Sequence, residues 1–431
     1  MNFDEALSYL LSLGHETLTI KLGLRNTETL LNALGDPHRD FPSVQIAGTN
    51  GKGSTAVMLD SICRAAGIHT GIFTSPHLVS ITERIRIDGE QISETDFAAL
   101  TAQVKTAAEE LIKQGRLETP PTFFEHVTAI ALLAFREAKV ELAILETGLG
   151  GRLDSTTAAG ADVVAITPVA MDHEEYLGDT LAEIAAEKAA IIRPGVTAVV
   201  APQDEEALDV IVRQARRAGV TPRFVGRTLP DSHGNISIGL LGRHQIVNAA
   251  TAIALAEALR ERGFAITRTE IIRGIETATH AGRLELWEGQ AGAGRPAILF
   301  DGAHNPAAAR ALRDYLDEFV AQPITLIFGA MRDKALPEMA ATLFPKANEL
   351  ILTGLDNPRG ATIQMLMTGV PLTFDQARVR LVSSASEALR IAKVVTPAGG
   401  LICVTGSLYL VGAVQQILNE SSGVAHGRWG N

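Results

Sequence analysis

Cysteine is almost missing from this chain of 431 residues, which has two, Cys63 and Cys403. Each lies in an apolar helix-like or strand-like pattern, so both read as buried free thiols rather than a disulfide, and no cysteine spacing of metal-binding type exists. A positive charge balance is missing too. Asp and Glu outnumber Lys and Arg by 49 to 38, a formal net charge of -11. That argues against general nucleic-acid binding. Anionic small substrates stay possible, because a local cluster of Lys, Arg, backbone N–H groups or metal can reverse the field in one cleft. No apolar run reaches the roughly 18 residues that a membrane span needs. The opening "MNFDEALSYLLSLG" is acidic and amphipathic and lacks the basic region and apolar core of a secretory signal. The expectation is a cytoplasmic protein with neither membrane nor nucleic acid as partner.

What is present is ordinary for a globular protein: 46% hydrophobic and 20% charged residues. The length exceeds what one core usually serves, which predicts two domains. Strand-like and helix-like segments alternate. "VQIA" (44–47), "LAILE" (142–146) and "VVAIT" (163–167) are apolar runs bounded by turn residues, the pattern of buried parallel strands. A helix is predicted from Ser54 to Ala66, another over 93–115 with Ser93 and Asp96 at its start, and a third from Thr180 to a Pro-Gly stop at 194–195. In the last third, "AILFDG", "ITLIFG", "ELILTG" and "LICVTG" each end in a small turn residue and define a second α/β unit. The fold class is therefore α/β with two mainly parallel domains. The boundary falls near Arg283, giving residues 1–282 and 283–431, with "EGQAGAG" (288–294) as a hairpin loop or the linker itself.

Five stretches carry chemistry. "GTNGKGST" (48–55) follows a strand and opens a helix, the context of a phosphate cradle. Backbone N–H groups and the helix N-terminus would face the anion, Lys52 would neutralise it, and a hydroxyl could ligate Mg2+. Its spelling departs from G-x-x-x-x-G-K-[ST]: Ile46 stands at the first Gly and Gly53 separates Lys52 from Ser54. The competing reading is a tight turn with an incidental Lys. In "ILETGLGGRLDST" (144–156), Glu146 ends a strand, where ligands of open α/β sheets bind, and Arg152 and Asp154 add opposite charges. The plainer reading is a capped turn with a surface ion pair. In "ITPVAMDHEEYLG" (166–178), His173 with Glu146 and a hydroxyl could complete a divalent-metal site, whereas a lone loop His is commonly just solvated. Lys188, on a helix among alanines, reads from its neighbours alone as a solvated charge, and Glu125 and His126 read as a helix start with an apolar face behind it. In "LFDGAHNPAAARAL" (299–312), Pro306 suits a first helical position, but Asp301, His304 and Asn305 together are more than a cap requires.

Taken in order, these stretches resemble the folylpolyglutamate synthase/dihydrofolate synthase family of ATP-dependent ligases, relatives of the muramyl peptide ligases. "AGTNGKGS" matches the family loop, Gly53 included. The match continues through "FTSPHL" (73–78), "ERIRIDGEQIS" (83–93), "ETGLGGRLD" (146–154), "MDHEEYLG" (171–178), "EKAAI" (187–191), "GRHQIVNA" (242–249), "GRLE" (282–285), "DGAHNP" (301–306), "GAMRDKA" (329–335) and "GSLYLVG" (406–412). Together they span nearly the whole chain.

The resemblance implies an N-terminal P-loop ATPase domain and a smaller, Rossmann-like C-terminal glutamate ligase domain. ATP would phosphorylate a pteroate or folate carboxylate, and the amine of L-glutamate would attack the acyl phosphate, giving an amide, ADP and phosphate. Two anions must meet, so metal and Lys must screen them, and the acyl phosphate must be kept from water. Residue by residue, the likeness assigns ATP to Asn50, Gly51, Lys52, Gly53, Ser54, Asn248, Arg283 and Asp301. It assigns two Mg2+ sites to Ser54, Ser75, Glu146, His173 and a carbamylated Lys188. It gives catalytic roles to Lys52, Lys188, Asp301 and His304, and the pteridine to Thr122, Phe123, Phe124, Leu153, Asp154 and Ser155. It implies dihydropteroate and reduced folates as acceptors and a monomer. "HAGR", "EKAA" and "LDSTT" depart from the usual W-P-G-R, E-K-A-G and L-D-A-T-N. None removes a charged group, and the last, at Thr157, bears on acceptor preference. Two rival readings are another Mur-type amide ligase and a non-catalytic P-loop protein. The first should carry an N-terminal UDP-sugar domain, for which the 47 residues before Gly48 are too few. The second would not need the "DGAHNP" unit.

Overall fold

Runs of β-branched and apolar residues closed by small turn residues form strands in two sheets. The computed structural model describes residues 1–14, 23–229, 236–289 and 296–422. Two compact units are present: Met1–Pro76, Thr82–Gly239 and Gln245–Thr279 make the first, and His77–Ile81, Leu240–His244 and His280–Asn431 the second. Most of "EGQAGAG" lies outside the described residues.

The first unit holds strands β1 (Ser43–Ala47), β2 (Thr70–Phe73), β3 (Ile85–Ile87), β4 (Glu90–Gln91), β5 (Leu142–Glu146), β6 (Val163–Ile166), β7 (Thr197–Val200) and β8 (Arg223–Phe224). Their order is β4-β3-β2-β5-β1-β6-β7-β8. All pairs from β2 to β8 are parallel, and β3 and β4 add an antiparallel edge. Every residue of β1, β5 and β6 is buried, as expected for a parallel sheet covered on both faces. Ile46 pairs with Glu146 and Ala47 with Ile166, so the carboxyl ends of these three strands are level. From β1 the chain moves first to one side of the sheet and later to the other, which makes this edge a topological switch point.

Helices attach closely. The helix after β1 runs from Lys52 to Ala65, two residues earlier than expected, because the chain turns helical straight after Gly51. At Gly274, on the helix Arg268–Thr277, an added Cβ would lie 2.4 Å from the Ile62 Cα, so backbone meets backbone there. The helix Leu181–Ala189 starts with the expected Thr180/Glu183 capping box. It stops short of Pro194, with Ile191 and Ile192 fully buried beyond it.

The second unit holds β9 (Glu285–Trp287), β10 (Ala297–Phe300), β11 (Ile324–Phe328), β12 (Glu349–Thr353), β13 (Val379–Val382) and β14 (Leu401–Thr405), ordered β13-β12-β11-β14-β10-β9. Only β9 is antiparallel. Alternate side chains sort onto opposite faces, as strand pleating requires. Leu299, Leu326, Leu350 and Cys403 pack with Leu312 and Met339 on one face, and Ile298, Ile327, Ile351 and Val404 pack with Leu389 and Val411 on the other. Both cysteines are buried free thiols, and burial raises their pKa.

Candidate active site

The loop after β1 is shaped by two glycines at positive φ, Gly48 (+150°) and Gly51 (+87°). A Cβ on Gly48 would stand 1.9 Å from the Thr167 Oγ1, and one on Gly51 would stand 2.2 Å from the Asn248 Oδ1. Both positions therefore demand glycine for close approach as well as conformation. The loop is pinned to the segment after β6. The N–H groups of Thr49 and Asn50 both donate to the Pro168 carbonyl at 3.1 Å, and the Thr49 hydroxyl bonds both the carbonyl and the N–H of Ala170. This leaves the anion-binding capacity of the loop with the N-terminus of the helix Lys52–Ala65, its first-turn N–H groups and dipole.

Two lysines converge on one carbonyl. The Lys52 Nζ lies 3.2 Å from the Gly48 O and 3.2 Å from the Thr49 O, and the Lys188 Nζ lies 2.9 Å from the same Gly48 O. Lys188 is 4% exposed, which corrects the solvated reading of it: the helix Leu181–Ala189 turns this side chain toward the loop. Burial, and then the nearby Lys52 charge, push its pKa down to about 7. Asp172, Asp154 and Glu187 act in the opposite direction.

Candidate metal donors follow β1, β5 and β6, whose carboxyl ends are level. Glu146 is buried at the end of β5, and its Oε2 accepts the Ser75 N–H at 3.1 Å. The Ser54 hydroxyl is buried one turn into its helix and accepts from the Gln245 Nε2 at 3.4 Å, while the Gln245 Oε1 takes the Asn248 Nδ2 at 2.8 Å. His173 takes a left-handed conformation (φ 55°), and its N–H donates to the Asp172 carboxylate. Among the described residues no three His, Cys, Asp or Glu side chains form a cluster able to hold a metal. The Glu146 carboxylate and the Ser54 hydroxyl nonetheless suit Mg2+ in kind, because it keeps several waters and takes substrate phosphate oxygens beside one or two carboxylates.

The expected acceptor residues occupy two adjoining elements. Thr122 caps the helix Phe123–Ala138 in a reciprocal box with Glu125, whose burial makes that box more than a surface cap. Phe123 is buried under the Arg84 guanidinium, 5.4 Å from its ring centroid. Phe124 lies against Gly148, where a Cβ would come 2.4 Å from the ring, and 5.8 Å from the Phe73 ring. Leu153 is half-buried, and Asp154 and Ser155 are buried. Asp154 accepts the N–H groups of Leu149 and Thr156 and the Thr156 hydroxyl. Burial raises its pKa despite those bonds. Arg152 does not pair with Asp154: it lies at the surface and bonds Glu187 at 3.0 Å.

The second unit carries its own group. Asp301 is buried past the end of β10, its two oxygens accepting the Leu284 and Ala303 N–H groups at 3.0 Å each. Desolvation raises its pKa, and Arg283 opposes that shift. The Arg283 Nη1 and the His304 Nδ1 reach the Gly302 carbonyl at 3.5 and 2.8 Å. Asn305 accepts the Ala308 N–H and caps the helix Pro306–Phe319, so this member of "DHN" is explained by capping. His244, which composition did not single out, is pushed down to about pKa 4 by burial and then by Arg283. Gln245, also not anticipated, lies inside the quoted "GRHQIVNA".

Comparison with known proteins shows the family. The Mur ligase middle domain model matches residues 46–228, and the model of the Mur ligase, glutamate ligase domain matches 282–408. A Haloferax volcanii protein named a probable bifunctional folylpolyglutamate synthase/dihydropteroate synthase is 35% identical across 95% of this chain, which spans about half (50%) of that relative's length. A dihydrofolate synthase/folylpolyglutamate synthase of Bacillus subtilis is 32% identical, across 94% of this chain and 97% of its own. Among solved structures, Escherichia coli FolC in complex with DHPP and ADP superposes with a TM-score of 0.85 at 30% identity, covering 98% of this chain and 99% of that one. A Yersinia pestis bifunctional folylpolyglutamate synthase/dihydrofolate synthase with AMPPNP and a Mn ion gives 0.83 at 30% identity, covering 97% and 98%.

Proposed function

The chain belongs to the dihydrofolate synthase/folylpolyglutamate synthase family of Mur-type, ATP-dependent ligases, and from that premise we propose that it joins L-glutamate to dihydropteroate and to reduced folates. The carrying observation is the convergence of the Lys52 and Lys188 Nζ atoms on the Gly48 carbonyl, in a glycine loop that opens a helix. An acceptor carboxylate oxygen attacks the terminal phosphorus of ATP and ADP leaves. The glutamate amine then attacks the acyl carbon, phosphate leaves, and the amine proton passes to solvent.

Each residue has a task in this reading. Lys52 neutralises the terminal phosphates, and the N–H groups of Gly51, Lys52, Gly53 and Ser54 cradle them. Asn50 shapes the loop, and Asn248 holds the adenine. Ser54, Ser75, Glu146 and His173 would hold Mg2+, which supplies charge screening between carboxylate and phosphate. Lys188 joins them as a carbamate. A lysine pushed to about pKa 7 is largely neutral just above that pH, and only the neutral amine adds CO2, releasing a proton. Thr122, Phe123, Phe124, Leu153, Asp154 and Ser155 bind the pteridine end. Arg283 and His304 serve the nucleotide and the glutamate from the region 283–431, and Asp301 holds the segment that carries them through the Leu284 and Ala303 N–H groups. The protein works as a cytoplasmic monomer, which cell fractionation and size-exclusion chromatography check.

The test is ADP release with glutamate and one acceptor at a time, dihydropteroate or a reduced folate. Release with both is expected. Release with one acceptor restricts the substrate, and no release with either removes the ligase assignment.

A further inference from the structure

Gln45 sits in the middle of β1, fully buried in a strand whose every residue is buried. Its Nε2 faces three hydroxyls: Thr157 Oγ1 at 2.7 Å, Thr156 Oγ1 at 3.0 Å and Thr147 Oγ1 at 3.4 Å. Two of those hydroxyls already spend their hydrogens. The Thr156 Oγ1 donates to the Asp154 Oδ1 at 2.5 Å, and the Thr157 Oγ1 donates to the Gly151 carbonyl at 2.6 Å. A hydroxyl has one hydrogen, so both can only accept from Gln45. This fixes the amide with its NH2 toward the threonines. Two relays result: Gln45 to Thr156 to Asp154, and Gln45 to Thr157 to Gly151. The Gln45 Oε1 is buried and, among the described residues, has no hydrogen-bond partner. An unsatisfied buried carbonyl costs stability, so the amide is held in place by what its other end does.

Both relays end on the turn 149–157. The same turn presents Leu153, Asp154 and Ser155, and Asp154 also ties it together through the Leu149 N–H. We propose that Gln45 is a positioning residue for the acceptor pocket: through Thr156 and Thr157 it sets the orientation of Asp154 and the path of the 149–157 turn. It never touches substrate. The inference rests on the reading that Asp154 belongs to the acceptor site. The chain places Gln45 three residues before the phosphate loop, yet its side chain serves the other substrate.

The test compares Michaelis constants in the full-length enzyme. Gln45→Met keeps the volume and removes the donor. It should raise the acceptor KM about tenfold, the scale of one lost buried hydrogen bond, while kcat and the ATP KM stay within about twofold. Thr156→Val, which breaks one of the two relays, should raise the acceptor KM as well, and Thr156→Ser, which keeps the hydroxyl, should stay near wild type. The double variant Gln45→Met/Thr156→Val should be less impaired than the product of the two singles, because both break the relay through Thr156. An unchanged acceptor KM in Gln45→Met, an equal rise in the ATP KM, or a multiplicative double variant overturns the inference. If Gln45→Met fails to fold, the Thr156→Ser and Thr156→Val pair decides: equal acceptor KM values overturn it. Asp154→Asn separates the two readings. A wild-type acceptor KM there sinks the acceptor-site reading and this inference with it; a raised value beside an unchanged Gln45→Met sinks this inference alone.

Discussion

The first unit buries a lysine, Lys188, and the second an aspartate, Asp301, and the two are treated in opposite ways. Lys188 shares a single carbonyl with Lys52, and burial together with the Lys52 charge makes it reluctant to ionise. Asp301 is spent on structure: each oxygen holds a backbone N–H, one of them from Leu284, a residue forced to φ 46°. The first arrangement gains most from a ligand that brings negative charge. The second is already settled within the protein, and gains rigidity at the start of β9. A buried charge by itself therefore does not mark chemistry; what matters is whether the protein has already answered it.

The contrast is sharpest in turnover. Lys52→Ala and Lys188→Ala should each reduce ADP release by about 1,000-fold, the scale of losing a preorganised charge at a reacting group. A short carboxylate such as acetate should restore part of the activity in Lys188→Ala and none in Lys52→Ala. Wild-type turnover in Lys188→Ala would break the comparison. Asp301→Asn should act mainly on stability. An amide can accept only one of the two N–H groups, so denaturant melts should show a loss of about 1–3 kcal/mol. A stable but inactive Asp301→Asn enzyme would make the second unit resemble the first. The last effect concerns pH. His244 is held neutral in the fold, with its pKa down to about 4 against an ordinary 6.5. Between those values the unfolded chain binds more protons than the folded one, so stability falls as the pH drops from 6.5 toward 4, by at most about 1.4 kcal/mol per pH unit. Below 4 that contribution levels off. His244→Gln should flatten this slope in acid melts.

Seven of the fourteen described strands were legible because their apolar runs end near a turn residue, as "LAILE" and "AILFDG" do. The rest, β13 ("VRLV") among them, span two to four residues, too short for an apolar run to stand out. The phosphate loop announced itself through glycines, and its spelling distinguished it further. Lys188 did not. On its own helix it has the neighbours of a surface lysine, and only a contact across 140 positions, with Gly48, shows its burial. Gln45 was equally silent, because its partners are threonines more than 100 residues away that any turn could carry. Local patterns find the elements, while the environment of a buried polar group is set by distant chain.

The make-up of the second unit has a consequence for how the protein is made. Leu78 leaves the ribosome early, yet its place is beside Gly412, where even a Cβ would come 2.0 Å from the Leu78 carbonyl oxygen. At cellular synthesis rates that partner follows on the order of tens of seconds later. The C-terminal stretch can therefore not be manufactured as a finished unit. A gene split after Thr279 would deliver a C-terminal product missing His77–Ile81 and Leu240–His244, two pieces of its own body.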